Sequence, residues 1–190
     1  ELLGYDLKDY EALFEEKFEL LNQLNKNEPI TWSGEFRAPL NEAVLYPKPL
    51  NGPIPIWRAV GGPAASAMRA GAAGVPMMLA TLGGPADLFN ESIDAFRMYA
   101  DHYNHGPLPV GVTALFHVAD DKPSALRNFY PYVDLAFRSA NGTGFSKPLF
   151  SQQTDKRAVM LIGTVDSIVE KILYQYDMYK HDRLLLQLDI

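Results

Sequence analysis

The sequence predicts an α/β chain built on parallel strands, and two observations predict it. Residues 55–79 read as strand, tight turn, small-residue helix and strand with almost no spare residues. Apolar runs at 56–60, 75–80, 110–118 and 184–190 alternate with segments whose apolar residues recur every three or four positions. Parallel neighbours joined this closely need helical crossovers of one hand, which places the helices outside the sheet. Four such strands make either a small open sheet or half of an eight-stranded (β/α) barrel. In half a barrel the strands at 54–60 and 184–190 are unpaired edges, which recruit another chain or aggregate.

Each element has a local cause. In residues 6–24, Tyr10, Phe14, Phe18 and Leu21 follow helical spacing while Glu11, Glu15 and Lys17 lie off that stripe, so an amphipathic helix is expected. From Glu28 the pattern breaks at Gly34, Pro39, Pro47, Pro49 and Pro53, with 43–46 the one strand-like run. This predicts an excursion with a small hairpin, then an extended approach to Ile54. The run ending at Val60 meets Gly61-Gly62, and Pro63 suits the first turn of the alanine-rich helix that Gly74 closes.

Gly83-Gly84-Pro85 starts a helix reaching about Tyr103, with Leu88, Phe89, Ile93, Phe96, Tyr99 and Tyr103 on its inner side. Asp120-Asp121-Lys122-Pro123 starts another, which buries Leu126, Phe129, Val133, Ala136 and Phe137 and stops near Asn141-Gly142. Residues 143–158 are polar and longer than an ordinary connection, which predicts a mobile functional loop. Ile162-Gly163-Thr164 is a helix start with Thr164 as cap, and Ile168, Ile172, Leu173, Tyr176 and Tyr179 are the expected inner stripe.

Composition narrows the function. The 190 residues carry a formal net charge of −6 and no basic patch, which argues against nucleic acid or an anionic membrane as partner. No apolar run approaches the roughly 20 residues of a membrane span. With zero cysteines there is no disulfide, zinc thiolate or thiol nucleophile, which fits a cytoplasmic enzyme. No His/Asp/Glu cluster has metal-ligand spacing and nothing resembles a nucleophile elbow. His102 and His105 near a helix end suit a surface role; His117, within a strand, faces either the mouth of the strands or the core. The spacing after Gly61 does not satisfy the dinucleotide fingerprint.

The residues Phe14-Glu-Glu-Lys-Phe-Glu-Leu-Leu21, Thr31-Trp-Ser-Gly34, Pro47-Lys-Pro49, Pro53-Ile-Pro-Ile-Trp57, Gly61-Gly62, Ala70-Gly71 and Ile162-Gly-Thr-Val-Asp-Ser-Ile168 resemble, in order, the bacterial luciferase-like flavin-dependent monooxygenase family. The resemblance implies a (β/α)8 TIM barrel, of which this chain is one partial domain forming the second half, with a 25–53 excursion and a 143–158 active-site loop. The expected activity is a monooxygenase using reduced FMN and oxygen on a small organic substrate, with a separate flavin reductase as supplier and a homo-oligomer as the assembly. The expected cofactor contacts are Val60, Gly61 and Gly62 near the flavin ring and ribityl chain and Ser66 at the phosphate; no catalytic acid or base is assigned. Ser66 has a plainer reading as a helix serine bonded to its own backbone. Pro63 stands where relatives often have a free N–H, so Ala64, Ala65 or Ser66 must supply that contact. Two alternatives stand beside this reading: deazaflavin-dependent hydride transfer, and a non-catalytic assembly fragment that completes a barrel by pairing with another chain.

Overall fold

The computed structural model describes residues 4–61 and 63–188, so Gly62 and the last two residues of the expected strand at 184–190 lie outside the described residues. Two compact units divide the chain, Glu1–Pro55 and Ile56–Ile190.

In the first unit the Asp6 carboxylate accepts the Lys8 N–H and starts a 3-10 turn, Leu7–Asp9, that runs into α1, Tyr10–Leu24. The expected hairpin is present as antiparallel β1, Ile30–Trp32, and β2, Leu40–Ala43, so its second strand starts earlier than 43–46. Leu20 of α1 packs with Ile30 and Trp32 in a small core. The Glu16 carboxylate accepts the backbone N–H groups of Glu35 and Phe36, which fixes the turn of the hairpin. Tyr10, Phe14 and Leu21, expected on the buried stripe, are exposed.

The second unit is a parallel sheet with helical crossovers. Its strands are β3, Arg58–Val60, β4, Met77–Thr81, β5, Val110–Val118, β6, Leu161–Gly163, and β7, Arg183–Gln187. Between them run α2, Ala64–Ala72, α3, Asn90–His102, α4, Lys122–Asn141, α5, Lys147–Ser151, and α6, Val165–Tyr179. Every pairing is parallel: Val60 opposite Leu79, Thr81 opposite Ala114, and Gly111–Leu115 opposite Arg183–Gln187. The four expected strands are therefore adjacent, in the order β3-β4-β5-β7, and the sheet has one more. That addition, β6, lies within residues read from sequence only as a helix start.

Backbone parity locates β6. Residues an even number apart in a regular strand point their N–H and C=O to the same edge. The carbonyl of Pro109 accepts the N–H of Met77, and the N–H of Ala119 donates to the carbonyl of Gly163. Pro109 and Ala119 face the same way, so β6 continues along β5 the edge that β4 begins, while β7 takes the opposite edge.

Val110 and Val112 pack with Met77, Leu79, Ile93, Phe96 and Tyr179, and Ala114 and Phe116 pack with Ile168 and Ile172. This is the face covered by α2, α3 and α6. The alternate residues point the other way; Leu115 joins Ala125, Phe129 and Val133 of α4 at the carboxyl end of the strand. Helices α2 and α3 approach so closely that a Cβ on Gly71 would lie 2.3 Å from the carbonyl oxygen of Phe96 and 2.9 Å from the nitrogen of Ala100. Only glycine fits that crossing.

Local capping follows the sequence. The Asp121 carboxylate accepts the Ser124 N–H, Gly142 closes α4 in the left-handed conformation, and Thr164 accepts the Ser167 N–H at the head of α6. The inner faces differ from expectation in phase. Leu88 and Tyr103 beside α3 are exposed, as are Leu173 and Tyr176 of α6. The residues α6 buries are Ile168, Lys171, Gln175 and Tyr179.

Candidate functional site

All five strands end at the same side of the sheet, and their carboxyl ends lead into the turns that a parallel α/β protein uses for ligands. Two constructions stand on this rim. One is the turn from β3 into α2; the other is the segment 143–158.

At the first, Gly61 is exposed, its φ is not in the left-handed region, and a Cβ there would meet nothing within 4 Å. Neither the backbone nor packing demands glycine, so the open space beside it is available to a ligand. Pro63 is the N-cap of α2, in an extended conformation, one position earlier than the sequence suggests. The Ser66 N–H turns back to the Pro63 carbonyl at 3.1 Å, which moves the candidate anion donors to Ala64 and Ala65. The Ser66 hydroxyl accepts a hydrogen bond from the Arg69 guanidinium at 3.2 Å. Arg69 thus brings a positive charge to the first turn, where the backbone dipole already favours an anion. Val60 is 1% exposed and its side chain sits in the helix-facing core with Ala67, Ala70 and Met77, so only its backbone borders the turn.

The second construction is more ordered than a polar loop. Helix α5 and a 3-10 turn, Gln152–Thr154, lie within it. Phe145 packs edge-on against Phe137 and Phe150, and Phe150 is buried against α4. Its far end is sewn to the turn after β4: Ala86 N–H donates to the Arg157 carbonyl at 2.7 Å and Val159 N–H to the Gly84 carbonyl at 3.0 Å. Beneath it is a cleft of about 720 Å³ walled by Gly84, Pro85, Lys122, Gln153, Arg157 and Tyr174, among others. Gly61 and Ser66 are not among its walls. The Asp155 carboxylate, held by the Arg157 backbone N–H and guanidinium, titrates below the usual carboxylate range.

The histidines do other work. The His105 ring reaches the Ala72 carbonyl at 2.9 Å and so closes the end of α2. His102 lies edge-on to Tyr103. His117 stacks on Phe129 of α4 at 4.9 Å, with its Nε2 lacking a hydrogen-bond partner among the described residues. Among the described residues no group of three His, Asp or Glu side chains is placed to hold a metal ion, and no helix is long and apolar enough to cross a membrane.

A parallel sheet cloaked by helices, with an open glycine turn and a folded-over segment at the carboxyl rim, belongs to the TIM-barrel class of α/β proteins. The family model described as luciferase-like monooxygenase matches residues 1–179, and the chain belongs to that family. Solved structures share the fold. The monooxygenase RslO1 from Streptomyces bottropensis superposes with a TM-score of 0.78 at 20% identity, over 96% of this chain and 55% of that one. The oxygenating constituent of 3,6-diketocamphane monooxygenase from Pseudomonas putida, in complex with FMN, gives 0.67 at 17% identity, over 96% and 57%. The coenzyme F420 dependent tetrahydromethanopterin reductase from Methanopyrus kandleri gives 0.65 at 13% identity, over 90% and 56%. The chain spans about half the length of these structures. No curated protein matches it in sequence.

Proposed function

We propose that the chain contributes the phosphate-side half of a flavin site to a flavin-dependent monooxygenase acting on a small organic substrate. The observation that carries this reading is the β3–α2 turn: an exposed glycine with open space beside it, leading into a helix start where Ser66 and Arg69 are joined. The first-turn N–H groups of Ala64 and Ala65, the Ser66 hydroxyl and the Arg69 guanidinium would hold the FMN phosphate. Gly61, with the Val60 backbone, would let the ribityl chain and ring edge lie against the strand end. Bound flavin, supplied reduced by a separate reductase, would provide the electrons and activate oxygen. The protein's own part is to orient the flavin, and the 143–158 segment would exclude water as a lid.

Titration of the chain with FMN tests this. Ser66→Ala is expected to weaken binding by about 1–2 kcal/mol, the scale of a hydrogen bond to a charged group. An unchanged dissociation constant removes Ser66 from the site. A parallel titration with the deazaflavin F420 separates oxygen chemistry from hydride transfer, the second chemistry in view because an F420-dependent enzyme shares the fold.

A second reading rests on the edges of the sheet. Leu185, Leu186 and Leu188 at β7 are all more than 40% exposed, and among the described residues β3 has a partner only in β4. Such edges suit pairing with further strands, from a second copy or another polypeptide, to complete a barrel. Sedimentation of the chain decides it: a monomer at all concentrations counts against edge pairing.

A further inference from the structure

Lys171 is 0% exposed and takes no part in the flavin contacts above. Its Nζ donates to the carbonyls of Gln153, of Met160 at 2.8 Å and of Ile162 at 3.2 Å. One helical repeat on, Gln175 Nε2 donates to the carbonyls of Ala158 and Val159 at 3.3 and 3.2 Å. A further repeat on, the Tyr179 hydroxyl donates to the Ala86 carbonyl at 2.6 Å. The spacing i, i+4, i+8 puts all three on the inward face of α6. Residues 153–160 meet other backbone through an isolated bridge between Pro85 and Ala158 and not through a continuous ladder, and buried carbonyls need donors. An ammonium has three N–H groups for three acceptors, which neither glutamine nor a hydroxyl offers.

We propose that Lys171 is a positioning residue that pins the root of the 143–158 segment, tying Gln153 on one side of the root to Met160 and Ile162 on the other. The segment then swings about a fixed base instead of peeling off α6. This rests on the reading of that segment as a lid over flavin. Burial draws Lys171 down from 10.5 to about 8, with Lys122 at the head of α4 acting in the same direction and Asp155 opposing. Opening the root to water restores the ordinary lysine value, so opening takes up a proton between about pH 8 and pH 10.5 and becomes harder as pH rises through that window.

Limited trypsin digestion of the full chain, corrected for protease activity on an unstructured peptide at each pH, reads the root directly through cleavage after Lys156 and Arg157. Lys171→Met is expected to speed that cleavage about tenfold or more at pH 7 without speeding cleavage after Arg58 or Arg69. Wild-type cleavage slows from about pH 8 to pH 10, whereas Lys171→Arg, which keeps its charge and restores donors, shows no such slope. Equal rates for wild type and Lys171→Met, equal acceleration at every site, or the same pH slope in Lys171→Arg would overturn the assignment. Should Lys171→Met fail to fold, Lys171→Gln, which brings two N–H donors to three carbonyls, takes its place: faster cleavage after Lys156 at pH 7 is expected, and a wild-type rate overturns the assignment. The lid reading fails separately: if FMN binds without slowing cleavage after Lys156, the lid falls while the pin stands.

Discussion

Gly71→Ala offers the sharpest quantitative test of the packing. The added Cβ would stand 2.3 Å from the Phe96 carbonyl oxygen and 2.9 Å from the Ala100 nitrogen, both of them backbone atoms that no rotamer change can move. Ordinary contact at about 3.4 Å requires α2 and α3 to separate by about 1 Å, which opens the core around Ala67, Ala70 and Phe96. Overpacking of this kind costs about 1–3 kcal/mol, and a rigid obstacle places it at the upper end. Alanine returns about 1 kcal/mol through its better helix propensity. The expected net loss is about 2 kcal/mol in urea unfolding, read as a lower midpoint with an unchanged slope. Gly61→Ala is the control: nothing lies within 4 Å of its Cβ and its φ is unrestrictive, so its stability is expected within about 0.5 kcal/mol of wild type. A Gly71→Ala protein as stable as wild type, or more stable, would refute the close helix crossing.

Three more measurements follow from the same geometry. Tyr179→Phe removes the donor from the buried Ala86 carbonyl and is expected to cost about 1–3 kcal/mol in urea unfolding; no loss would mean that the carbonyl finds another donor. Thr164→Ala removes the cap of α6 and is expected to cost about 1 kcal/mol, while Thr164→Ser keeps most of it. Because the Lys171 value falls from 10.5 to about 8 on folding, the unfolded chain binds more protons between those values. The unfolding free energy of wild type should therefore rise relative to Lys171→Met across that window, by up to about 3 kcal/mol. A flat difference between pH 7 and pH 10 would show that burial does not tax the charge.

What the sequence disclosed divides along physical lines. Val110–Val118 is legible to the residue because a nine-residue apolar, β-branched run has no other stable use. Asp121, Gly142 and Thr164 are legible because capping is chemistry within one or two turns. The three residues of β6 are not, since they form a strand only by borrowing the end of β5. Lys171 and Gln175 are missed because counting apolar residues assumes that a buried face is apolar, whereas theirs serves the carbonyls of a distant segment. That assumption rotates the stripe and turns Leu173 and Tyr176 inward, when 58% and 49% of their surfaces are exposed. Segment 143–158 looks like loop by composition, yet Phe145 and Phe150 anchor it against α4. At the site, Gly61 is recognisable from its place at a strand end; the Val60 side chain is carried away from it by strand alternation, and Arg69 becomes visible only when the helix brings it back over Ser66.

Strand β5 passes one of its edges from β4 to β6, and the handover falls where the chain leaves the sheet at Leu82. A sheet is cohesive along a continuous ladder and weak at a splice. Here the splice is stitched from outside, by the 84–86 turn below and by α6 behind. Lengthening β4 by two residues would carry it opposite Phe116, where β6 begins, evict β6 from its place and cut those stitches together, so insertions of that size just after Thr81 should be far less tolerated than the same insertions at the tip near Thr143.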